Sequence, residues 1–152
     1  MAINFVQGQV ATSDPNPGGP SAISNDKVSK VKVVKLTSAN FTTTNVDTMV
    51  AMLPADATIL SFRLWVKTQL AGGSVSAATL ALGSASGGAQ FMAANAAAFG
   101  AANVATYLTP VLGIMQNYNI PQGNDIQIWA RGTATTGNPT SGEMYLTIEY
   151  VR

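Results

Sequence analysis

The chain contains no cysteine and no histidine. The first absence excludes disulfides, thiolate metal sites and thiol nucleophiles. The second removes the commonest general base, the Ser-His-Asp arrangement and the commonest zinc ligand. Charge is scarce as well: charged residues make up 10% of the 152 positions, against roughly 25% in an ordinary soluble domain. A net charge of +1 gives no support to nucleic-acid binding. No basic segment followed by an apolar run opens the chain, so no signal peptide is expected. The apolar run "ATILSFRLWV" is too short for a bilayer and is broken by Arg63, so no membrane partner is expected.

Motifs for chemistry are missing too. The seven carboxylates are Asp14, Asp26, Asp47, Asp56, Asp125, Glu143 and Glu149. They form no D-x-D or E-x-x-E pair, and most stand beside turns. "GSASGG" and "AGGS" lack the lysine and spacing of a phosphate loop and read as turns. "SND" and "GND" lack the carboxylate density of a calcium site. The expectation is a protein that is not an enzyme, with no catalytic residue, no metal and no cofactor.

What is present is alanine, threonine, serine, asparagine and glycine in strand-like patterns. Hydrophobic residues reach 47%, but alanine supplies a large share of them. A surface this poor in charge is weakly defended against association, which suits a part packed into an assembly.

The first 27 residues carry a small apolar segment, Ile3, Phe5 and Val6, and then "DPNPGGP", where proline and glycine forbid helix or ladder. Two readings stand: an extended arm that docks elsewhere, or a disordered terminus. A folded domain over 28–152 follows. In "KVSKVKVVKLT", Val31 and Val33 alternate with Lys30, Lys32 and Lys35. With Lys27, these lysines hold half of the eight basic residues, and a solvated strand face is the plain reading. "VDTMVAML" reads as a strand ended by Pro54, and "LPADA" as a turn. The strand from Thr58 to Lys67 puts Leu60, Phe62, Leu64 and Val66 on a core face. Ile59, Ser61, Arg63, Trp65 and Lys67 then share the other face.

Short strands follow at "AATLALG" and "FMAA", then near Tyr107 and Ile114, at "DIQIWARG" and at "EMYLTIEYVR". Between them, "AANAAAFGAANVA" allows at most a short helix or an irregular crossing, because Gly100 interrupts it. About eight short strands with one-sided alternation imply an all-β, antiparallel sandwich or barrel. Trp65 and Trp129 occur in similar settings, "RLWVK" and "IWAR". They are either ordinary covered tryptophans or part of a protein interface or sugar platform. Of these last two, a subunit interface, together with Arg63 and Lys67, suits the low charge better.

Several segments resemble small structural proteins of tailed bacteriophages. The turn Leu53, Pro54, Ala55, Ala57 leads into a long strand. Thr79, Leu80, Leu82 and Gly83 come next, then Gly88, Phe91, Met92 and Ala93, and a final strand holds Glu149 and Tyr150. The resemblance covers roughly residues 53–93 and 143–151. It implies a jelly-roll-like sandwich acting as a capsid decoration, or cement, protein. That protein is made in the host cytoplasm and sits on the outer capsid surface, often as a homotrimer bound to the major capsid protein. An arm tipped by Ile3, Phe5 and Val6, with Lys30, Lys32 and Lys35 near acidic capsid surface, would serve attachment. Where many relatives carry an acidic turn, this chain has "SASGGAQ", so no metal is expected there. The alternative is a receptor- or glycan-binding sandwich of a fibre or spike, since one fold hosts both.

Overall fold

The computed structural model describes residues 28–108 and 123–152. The arm, including Ile3, Phe5 and Val6, and the strand expected near Ile114 lie outside the described residues. Eight strands are described: β1 (Ser29–Thr37), β2 (Val46–Leu53), β3 (Thr58–Ala71), β4 (Ala77–Gly83), β5 (Met92–Asn95), β6 (Val104–Tyr107), β7 (Ile126–Thr135) and β8 (Ser141–Val151). They form two four-stranded sheets, a front sheet ordered β1-β8-β3-β6 and a back sheet ordered β2-β7-β4-β5. Every pairing between named strands is antiparallel. β1 pairs with β8, β2 with β7, β3 with β6 and β4 with β5. This is the jelly-roll-like β-sandwich. The only helical pieces among the described residues are 3₁₀ turns at Ser38–Asn40 and Ala96–Phe99.

The core lies between the sheets. Leu64 and Val66 on β3 and Met144, Leu146 and Ile148 on β8 meet Leu80 and Leu82 on β4 and Ile126 and Ile128 on β7. Phe62 and Phe91 touch with ring centroids 5.8 Å apart and planes tilted by 40°. Along β7 the inward side chains shrink, from Ile126 and Ile128 to Ala130, Gly132 and Ala134. The space left is filled by the segment after the first 3₁₀ turn. There Phe41 is fully buried, and the Ala134 N–H donates to the Thr42 carbonyl at 2.9 Å. The "LPADA" segment closes as a turn, with Ala57 N–H donating to the Pro54 carbonyl at 2.9 Å.

Two phase expectations are corrected. Ile59 is buried, whereas Leu60 is 48% exposed. The β3–β8 register slips between Ile59 and Ser61, so Leu60 is the extra residue of a bulge. Beyond it the alternation resumes in the expected phase, because one inserted residue flips every later side chain. In β1 the frame is set by buried Leu36 opposite Met144. Val31 and Val33 therefore face outward, 60% and 57% exposed, on the same side as Lys35. Lys30 and Lys32 fall opposite Tyr150 and Ile148, on the inward side of an edge strand. The Lys32 ammonium reaches across to the Met52 carbonyl of β2 at 3.5 Å. Inward charge at a sheet edge discourages another strand from adding there.

Candidate functional site

Two outer faces are available, one per sheet. On the front sheet, alternation places Ser61, Arg63 and Trp65 of β3 beside Glu143, Tyr145, Thr147 and Glu149 of β8. Trp65 and Tyr145 are direct cross-strand partners and stack at 5.5 Å with their planes 24° apart. Tyr145 donates its hydroxyl proton to Glu143 at 2.6 Å. The two carboxylate oxygens of Glu143 also take ammonium groups, Lys35 at 3.0 Å and Lys67 at 3.0 Å. One carboxylate thus ties β1, β3 and β8 together at the surface.

That arrangement holds the Glu143 carboxyl down at about 2, through the Tyr145 hydrogen bond first and then those from Lys67 and Lys35. The Tyr145 phenol and the Lys67 ammonium are each raised by their hydrogen bonds to Glu143. A carboxyl depressed from 4.5 to about 2 contributes stability above its unfolded value, which is lost as pH falls through the folded one. Glu143→Gln is therefore expected to lower the melting temperature at pH 7. The gap from the unmodified protein should close between pH 4.5 and about 2 in a melting series. A gap independent of pH over that window would show that the carboxylate charge plays no part.

On the back sheet the outer face is softer. Met49 and Met52 of β2 are each 46% exposed, and Met49 pairs across the ladder with half-buried Trp129. The Trp129 indole N–H donates to Gln127 at 2.9 Å. The charges beside this patch neutralise each other: Arg131 grips Asp47 through two bonds, of 2.9 and 3.1 Å, and Ser86 adds a third at 3.2 Å. The Arg131 hydrogen bond, more than any other contact, keeps the Asp47 carboxyl below its usual range.

The residues singled out from sequence are thus divided. Arg63, Trp65 and Lys67 share the front face, while Trp129 lies on the opposite face of the sandwich. Lys30 and Lys32 border the β1–β2 edge near Met52, but Lys35 is on the front face and tied to Glu143. Sequence reasoning did not find the Glu143 hub or the Asp47–Arg131 grip. Glu143 and Tyr145, two apart on one strand, were its only local signal. Among the described residues no three acidic side chains converge on a possible metal position. No helix among them is long and apolar enough to cross a membrane.

No protein-family model matches the chain, and no curated protein matches it significantly. Solved structures do. A chain of the cyanophage Pam1 capsid asymmetric unit superposes with a TM-score of 0.52 at 20% identity, covering 82% of this chain and 85% of that one. A chain of the capsid of Ralstonia phage GP4 gives 0.56 at 18% identity, over 82% and 84%. The likeness is one of fold.

Proposed function

We propose that the protein is a structural component of a bacteriophage virion. In this reading it is a decoration protein that docks on the outer surface of the head and bridges major capsid subunits. The observation that carries the reading is the fold likeness to chains of two phage capsids, extending over more than four-fifths of each chain. The scarcity of charged residues, 10% of the chain, supports it. Stabilisation would come by mass action, since a protein that binds only the closed shell favours that shell. Weak contacts repeated in a trimer add through avidity.

The docking side in this proposal is the back face with the β1–β2 edge. Met49, Met52 and Trp129 offer adaptable apolar contact, and Lys30 and Lys32 flank them for acidic capsid surface. Trp65 suits that role less, because one face of its ring is already covered by Tyr145. The arm of residues 1–27 would add further contacts.

The test is co-sedimentation with shells of the major capsid protein from the same virion. The full chain is expected to pellet with the shells, and Trp129→Ala to weaken attachment about tenfold. Removing residues 1–20 should weaken it as well, without changing the melting temperature. A full chain that stays in the supernatant would sink the proposal. Light scattering on the free protein measures the proposed trimer.

A further inference from the structure

A groove of about 270 Å³ crosses the front face, lined by Val31, Ser61, Arg63, Tyr107, Thr147 and Glu149. We propose that this groove binds one pyranose ring of a neutral saccharide. It lies on the opposite sheet from the Met49–Trp129 patch, so the proposal stands apart from the capsid reading.

The lining dictates the ligand chemistry. The Arg63 guanidinium carbon sits 5.9 Å from the centroid of the Tyr107 ring. Among the described residues no carboxylate pairs with it and no acceptor takes its N–H protons. Glu149 accepts one hydrogen bond, from the Ser61 hydroxyl to Oε2 at 2.9 Å. Arg63 and Glu149 are diagonal neighbours across the β3–β8 ladder, yet they form no ion pair. The groove therefore presents a donor fork and an acceptor side by side, with the Ser61 and Thr147 hydroxyls between them.

A simple anion would be drawn to Arg63 and repelled by Glu149, and a cation the reverse. A hydroxyl donates and accepts at once, so adjacent ring hydroxyls satisfy both groups. Tyr107, 71% exposed, and Val31 supply the apolar surface that the C–H face of a sugar ring covers. The volume falls below the ~300–1,000 Å³ of pockets for drug-sized ligands, which fits one ring rather than a long chain.

The test is a titration of the full-length protein, followed by amide NMR shifts. The probes are the methyl glycosides of glucose, galactose, mannose and N-acetylglucosamine, with acetate as the charged comparison. At least one glycoside is expected to shift the Ser61, Arg63, Thr147 and Glu149 amides saturably, with a Kd on the order of 1–10 mM. Arg63→Ala and Tyr107→Ala should each weaken it about fivefold or more. Thr135→Ala, at the far end of the back sheet, should leave it unchanged. If Arg63→Ala fails to fold, Glu149→Gln carries the same expectation. Saturation by none of the four glycosides up to about 100 mM would overturn the proposal. So would tighter binding of acetate than of every glycoside, or equal binding by the lining variants.

Discussion

Urea unfolding of Phe62→Ala is expected to show a loss of about 3–5 kcal/mol, the largest of any single change considered for this chain. Phe62 is 2% exposed, faces Phe91 across the core and sits opposite Ile148 on the central strand β8. Its backbone is pinned from both sides, by β8 and by the Leu108 N–H that donates to its carbonyl at 3.1 Å. The sheets cannot collapse far into the void, so most of the cavity cost remains. For a domain with about 5–15 kcal/mol in total, that is a large fraction. The midpoint should fall with the slope unchanged, because the surface exposed on unfolding is nearly the same. A loss under about 1 kcal/mol would mean that the two sheets are not packed around this ring.

The second large effect is expected at Gly132, where the change adds atoms. A Cβ built there would collide with the backbone carbonyl of Asn40 and approach Phe41 Cδ1 to 2.9 Å. A flexible side chain could move aside, but backbone held in a 3₁₀ turn against two sheets cannot. Gly132→Ala is therefore expected to cost about 3 kcal/mol, the upper end of the usual overpacking range. The comparison is Gly123→Ala. Gly123 has φ of +76° and nothing within 4 Å of the added carbon. That variant meets only the left-handed backbone penalty, roughly 1–2 kcal/mol. Thermal unfolding of the two variants side by side separates crowding from conformational strain. Equal losses would show that Gly132 tolerates a side chain.

Much of the sandwich was legible because inward residues recur every second position. In β8, Met144, Leu146 and Ile148 are buried as their spacing requires, and Ile126, Ile128 and Ala130 behave alike in β7. The failures arose where a local pattern admits two frames. "KVKVVK" can bury either its valines or the opposite set, and the decision belongs to Leu36 further along. Leu60 was misplaced because a bulge leaves no mark on hydrophobic alternation. The two tryptophans look alike locally, yet strand order puts them on opposite sheets, and strand order is not a local property. The groove was hidden for the same reason. Its residues come from β1, β3, β6 and β8, with Ser61 and Glu149 88 positions apart.

The winding of the strands also bears on when the protein can fold. In the front sheet β8 lies between β1 and β3, and in the back sheet β7 lies between β2 and β4. A nascent chain that has not yet reached β7 and β8 lacks one of the two interior strands of each sheet. Of the strand pairs among the described residues, only β3–β6 and β4–β5 are open to it, and each involves a strand of four residues. Neither sheet can close until β7 and β8 have been made, β8 then inserting between two strands made long before it. Such distant pairing is slow, in the range of milliseconds to seconds. A chain interrupted before β7 and β8 therefore has neither four-stranded sheet, and neither of the outer faces built on them.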